Sequence, residues 1–153
     1  MESLAGKIAL VTGAGKGIGR AMVLALAREG VHVGLVSRTT SDLEEVAAQV
    51  QALGVRAGVA SADVSDLASV EAASGKIQQE LGNVDILINN AGIASFGKFL
   101  ELEPEAWEKQ VKVNLYGVYY MIRSVLPQMI ERQTGDIINI SSTAGLRASA
   151  LTS

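Results

Sequence analysis

The sequence predicts an α/β chain built on a parallel sheet covered on both faces. Three observations predict it. Short apolar runs bounded by turn residues alternate with longer stretches of helical period, in the order βαβαβαβαβ. The apolar runs are continuous rather than alternating, as in strands buried on both sides. A glycine-rich loop separates the first strand from the first helix.

The elements follow in order. Residues 8–12 read as a short apolar strand. Residues 18–28 carry apolar side chains at 18, 22, 23, 25 and 26, a helix that Gly30 ends. Residues 31–36 form the second strand. Ser41 opens the next helix with Glu44 three positions on, the spacing of a capping box, and Gly54 closes it. Residues 55–60 form the third strand. Ser65 caps a helix that runs to Leu81, and residues 84–88 form the fourth strand. Pro104 suits the first turn of the following helix, where its missing N–H costs nothing. That helix has apolar residues at 107, 111, 115, 118 and 122, continues to about Ile130 and bends near Gly117. Gly135 releases the chain into a strand at 137–140. There is no internal repeat, low-complexity segment or linker, so residues 1–153 read as one domain or part of one.

Composition narrows the function. A 153-residue chain is about one domain long and able to bury a real core. Hydrophobic residues make up 48% and charged residues 19%, which excludes a disordered chain. With no cysteine, disulfides, thiolate metal sites and a cysteine nucleophile are excluded, and no metal site is expected. The single histidine, His32, begins a strand and reads as structural or surface. A net charge of -3 and a pI near 5.2 argue against nucleic acid as a partner. No apolar stretch approaches the ~18 residues of a membrane helix. The first residues lack the layout of a signal peptide. A cytoplasmic protein is expected. Trp107, on the apolar stripe of its helix, is expected in the core or an interface.

The glycine loop reads Thr12-Gly13-Ala14-Gly15-Lys16-Gly17-Ile18-Gly19. Glycines let backbone N–H groups approach a pyrophosphate, and the following helix presents its positive end to it. The spacing fits T-G-x-x-x-G-x-G rather than G-x-G-x-x-G. It is not a P-loop, because Gly17 follows Lys16 where Ser or Thr is required. The plain alternative is a tight turn without a ligand; the strand before and the helix after argue against it.

Further motifs stand at matching intervals. Ala62-Asp63-Val64-Ser65-Asp66 follows the third strand, Asn89-Asn90-Ala91-Gly92 the fourth, Asn114 lies within Val113-Asn114-Leu115-Tyr116-Gly117, and Ser141-Ser142-Thr143-Ala144-Gly145 follows the last. Together with the glycine loop, they make the chain resemble the short-chain dehydrogenases/reductases over its whole length, with a general look of the bacterial 3-oxoacyl-[acyl-carrier-protein] reductases. The resemblance implies a Rossmann-like, doubly wound sheet of strand order 3-2-1-4-5, ending before the family's strands 6 and 7. It implies cofactor contacts from Thr12, Gly13, Gly15, Lys16, Gly17, Ile18, Gly19, Asp63, Val64, Asn90, Ala91 and Gly92. It gives Asn114 a water in a proton relay, in place of the simpler reading that its amide bonds backbone. The family spacing Ser-x-x-Gly selects Ser142 over Ser141 as the catalytic hydroxyl.

The end of the second strand bears on the choice of cofactor. An acidic residue near there would bind the ribose 2′-OH of NAD. The sequence has Val36-Ser37-Arg38-Thr39, with Ser37 where the family's NAD-specific members carry Asp. Arg38 is placed for a 2′-phosphate, and Lys16 adds a second cation, so NADP(H) is the expected cofactor. The bland alternative is two solvated surface charges.

By resemblance, the activity is reduction of a ketone or 3-oxoacyl carbonyl to a secondary alcohol, with a role in fatty acid biosynthesis. The substrate is a small carbonyl compound or an acyl-carrier-protein thioester; a steroid, a sugar or another small ketone is the alternative. The full-length family member is expected to be a homo-oligomer, a tetramer. The family's proton donor is a tyrosine in a Y-x-x-x-K pattern. Counted from Ser142, its usual interval runs past Ser153. Tyr116, Tyr119 and Tyr120 do not carry the pattern. The chain is therefore expected to be the N-terminal part of a reductase, inactive by itself, with the strand at 137–140 as an apolar edge. The competing reading is a non-catalytic nucleotide-binding module.

Overall fold

The computed structural model describes residues 3–145. Five strands form one sheet: β1 (Ile8–Thr12), β2 (His32–Ser37), β3 (Ala57–Ser61), β4 (Ile86–Asn89) and β5 (Asp136–Asn139). Their order is β3-β2-β1-β4-β5, and every pairing is parallel. The helices are α1 (Gly17–Arg28), α2 (Thr40–Ala52), α3 (Leu67–Leu81), α4 (Pro104–Val111) and α5 (Gly117–Arg132). A π-helical turn at Lys112–Tyr116 joins α4 to α5, and short 3-10 turns lie at Phe99–Glu101 and Thr143–Gly145.

The period of the strands divides the core in two. Along β1, Ala9 and Val11 pack with Val23 of α1 and with Leu43, Val46 and Val50 of α2. Ile8 and Leu10 face the other way, toward Val70 and Ile77 of α3 and Met121 and Val125 of α5. Strand residues alternate between faces, so a continuous apolar run serves both layers. On the second face α3 lies directly on β2. A Cβ at Gly34 would come 2.5 Å from Ile77 Cγ2, so only glycine permits this approach.

A clamp ties the amino ends of the strands to the end of α5. Asp85 accepts from the Ile8 amide at 2.9 Å and from Arg132 Nη1 at 2.8 Å. Arg132 Nη2 and Gln128 Nε2 both donate to the Val84 carbonyl, at 2.8 and 2.9 Å.

Several local expectations are corrected. The Ser41–Glu44 capping box is not formed: α2 starts at Thr40, its cap is Thr39, and no side chain caps it. Asp66, not Ser65, caps α3 by accepting from the Ala68 amide at 3.1 Å. Ser65 turns back to Asp63 instead. Trp107 is not in the core; half of its surface is exposed. The helix through Asn114 widens into the π turn at Lys112–Tyr116, just before Gly117. β2 to β4 start and end one or two residues later than expected, which brings Ser37 and Asn89 into the sheet. β5 is an edge strand of the described sheet, with Ile138 exposed. The stretch after Gly145, including the expected chain end, lies outside the described residues.

Candidate functional site

The carboxyl ends of the strands carry a cleft of about 310 Å³. Parallel sheets bind ligands there, where the strand order reverses, here beside β1. The cleft is lined by Gly13, Gly15 and Lys16 of the glycine loop, Ser37 at the end of β2 and Arg38 just after it, Asp63 and Val64 after β3, and Ala91 and Gly92 after β4.

Partly buried hydrogen bonds hold these loops together. Thr12 is 1% exposed, and its hydroxyl accepts from the backbone amides of Asn90 and Ala91, each at 3.0 Å. Asn90 donates from its side-chain amide as well, to the Thr12 carbonyl at 3.0 Å and to that of Gly13 at 3.4 Å. The first turn of α1 closes underneath. A Cβ at Gly19 would lie 2.1 Å from the Gly13 carbonyl oxygen and 2.7 Å from Asn90 Nδ2. Thr12, Gly19 and Asn90 therefore shape the loop from behind. Ile18 points outward and is 67% exposed. Gly17, at φ 54, turns the chain into α1 in open space.

Asp63 sits in a ring of donors. Its carboxylate accepts from the Ser65 hydroxyl at 2.6 Å and the Ser65 amide at 2.9 Å, and its own amide donates to Ser69 Oγ at 3.1 Å. The Ser65 hydroxyl, then its amide, pull the Asp63 carboxyl below the ordinary carboxylate range. Partial burial opposes this, while the Arg38 and Lys109 charges assist. The cation after β2 thus acts on the acid after β3 across the cleft.

Asn114 lies in the π turn. Its Oδ1 accepts from the Ile93 amide at 2.9 Å and its Nδ2 donates to the Ile93 carbonyl at 2.8 Å. The amide holds the loop after β4 by its backbone, and the widened turn aims it there. π turns often occur at functional sites. Ser142 is exposed after β5, its hydroxyl accepting from the Ala144 amide at 3.1 Å. The strand reaches the site because the Ile140 amide donates to the Asn89 carbonyl at 2.9 Å and Asn89 Nδ2 donates to Asn139 Oδ1 at 2.9 Å. Neither Asn114 nor Ser142 lines the cleft, and neither do Tyr116, Tyr119 or Tyr120. His32 is structural, accepting at Nδ1 from the Arg56 amide at 3.1 Å.

Sequence reasoning missed Thr39, Asp42, Ala62, Ile93 and Val113, which also line the cleft. Asp42 carried a readable signal, an acid in the first turn of the helix after β2. Val113 carried none, because the helical stripe was drawn through its neighbours. Among the described residues no cluster of His, Cys, Asp or Glu is arranged to hold a metal, and no helix is long and apolar enough to cross a membrane.

A Rossmann-like sheet with a glycine loop at the amino end of α1 defines a domain of the dinucleotide-binding layout. Residues 7–153 match the family described as short chain dehydrogenase, and the chain belongs to that family. It is 38% identical over 145 residues to "Oxidoreductase UcpA" of Salmonella typhimurium, covering 95% of this chain and 55% of that one. The chain thus spans about half the length of the curated relatives it matches. Among solved structures, an NAD+-bound xylitol dehydrogenase superposes with a TM-score of 0.94 at 31% identity, covering 99% of this chain and 58% of the other. An alcohol dehydrogenase from the archaeon Thermococcus sibiricus, complexed with 5-hydroxy-NADP, gives 0.91 at 34% identity, covering 95% and 62%. The two neighbours hold different nicotinamide cofactors.

Proposed function

We propose that this chain forms the cofactor half of an NADP(H)-dependent reductase that interconverts a ketone, or 3-oxoacyl carbonyl, and a secondary alcohol. One observation carries the reading: the cleft brings Lys16 and Arg38 together beside Ser37, with no acid at the end of β2 to bind a ribose 2′-OH. The residues fit such a cofactor. Gly13, Gly15 and the amino end of α1 would take the pyrophosphate. Arg38 and Lys16 would take the 2′-phosphate. Asp63 and Val64 would flank the adenine, and Ala91 and Gly92 would border the path toward the nicotinamide. When bound, the cofactor supplies the hydride. Ser142 would hydrogen-bond the substrate oxygen, and Asn114 would hold a water while fixing the loop at Ile93.

A 3-oxoacyl thioester is the first substrate to try, on the resemblance of the motifs; other ketones and polyols come next. No described tyrosine reaches the cleft, so these 153 residues alone are expected to bind cofactor without reducing a carbonyl. That same observation favours the second reading, a nucleotide-binding module. Self-association is supported by the apolar side chains that Trp107 of α4, Leu115 of the π turn, and Tyr119 and Ile130 of α5 expose. Arg38→Asp tests the cofactor assignment: affinity for NADPH should fall at least about tenfold relative to NADH, as the loss of a charge-assisted pair implies. An unchanged ratio rejects it.

A further inference from the structure

Lys16 already has an anion beside it. Its Nζ lies 3.0 Å from Asp42 Oδ2. Asp42 stands in the first turn of α2 and lines the same cleft as Lys16, Ser37 and Arg38. The contact is built into the backbone. A Cβ at Gly15 would come 2.9 Å from Asp42 Cβ and 3.3 Å from Ser37 Oγ, so the loop lies against α2 only because residue 15 has no side chain. The first turn of a helix also favours an acid electrostatically, which keeps the carboxylate in place.

We infer that Asp42 is a specificity-determining residue that restrains the preference for NADP(H) by competing for Lys16; the inference rests on the cofactor reading above. The side chain of Lys16 is 80% exposed and that of Asp42 24%. An ion pair this open to water is weak, so a 2′-phosphate can draw the lysine away. The pair must nevertheless be broken or shared first, and that cost falls on a cofactor that uses Lys16. NAD(H), without the 2′-phosphate, does not meet it. Asp42 therefore narrows the gap between the two cofactors without touching the pyrophosphate or the adenine.

The test is a fluorescence titration of the full chain with NADPH and NADH, for the wild type, Asp42→Asn, Lys16→Met and the double variant. Asp42→Asn should tighten NADPH about threefold, the size an exposed pair supports, and leave NADH unchanged. The gain should vanish in the Lys16→Met background, as a coupled pair requires. Asp42→Ser repeats the measurement in case Asn disturbs the start of α2. An absent NADPH gain in both Asp42 variants, an equal gain for NADH, or a gain that survives Lys16→Met overturns the inference. A wild type with no preference for NADPH overturns the cofactor reading and this inference together. A preference that the Asp42 variants do not widen overturns this inference alone.

Discussion

Asn90 donates twice to Thr12, from its backbone amide to the hydroxyl and from its side-chain amide to the carbonyl, each at 3.0 Å. The two parallel bonds join the loop after β1 to the loop after β4 at the point where the strand order reverses. Thr12→Val keeps the shape and leaves two amides, those of Asn90 and Ala91, without their acceptor. A loss of about 1–2 kcal/mol is expected from two partly buried donors, read from the urea midpoint. Thr12→Ser should restore most of it.

Gly19→Ala should damage binding more than stability elsewhere. Its methyl would meet the Gly13 carbonyl at 2.1 Å, and backbone cannot swing aside like a flexible side chain. The glycine loop must move, and NADPH affinity should drop at least about tenfold, as close backbone approach to the pyrophosphate is lost. Titration of the variant, beside its circular dichroism spectrum, checks this.

The Asp63–Ser65 contact predicts a specific response to acid. The folded carboxyl titrates below its ordinary value of 3.8, chiefly through the Ser65 hydroxyl. Its contribution to stability is therefore present above the unfolded pKa and lost as pH falls through the folded one. Ser65→Ala should be less stable than the wild type at neutral pH, and the difference should shrink on acidification below about pH 4. Denaturant midpoints across that range measure it. A difference that grows in acid would contradict the assignment.

Arg132→Met separates scaffold from site. The clamp on Asp85 and Val84 lies at the amino ends of the strands, away from the cleft. Stability should fall by about 1–2 kcal/mol for the lost charge-assisted bonds. Cofactor affinity should not change. A parallel loss of affinity would mean that the two ends of the sheet are coupled.

The sheet was legible because its signals are local. Apolar runs such as Ile8–Thr12 are buried throughout, and the helices between them follow the expected order. The loops were legible as motifs but not as hydrogen-bond networks. Ser65 looked like a cap because serine commonly caps. The stronger acceptor one residue on, Asp66, took that place while Ser65 served Asp63. Ser41 and Glu44 have the spacing of a capping box, but the cap is Thr39, two residues earlier, which places both inside the helix. The π turn at Asn114 leaves no periodic trace, since one widened turn hardly alters an apolar stripe. Asp42 is readable as an acid in the first turn of α2, but its contact is not. Its role depends on Gly15 letting two distant segments touch, and a sequence does not display such a contact.

The proposed cofactor sets its 2′-phosphate beside Arg38 and Lys16. A crystal structure of the full chain soaked with NADP+ tests that placement most directly. The 2′-phosphate should lie within hydrogen-bonding distance of the Arg38 guanidinium, the pyrophosphate against the amides of the glycine loop, and the adenine beside Asp63 and Val64. A cofactor bound with its 2′-phosphate turned away from Arg38 and Lys16, or no binding in this cleft, would contradict it.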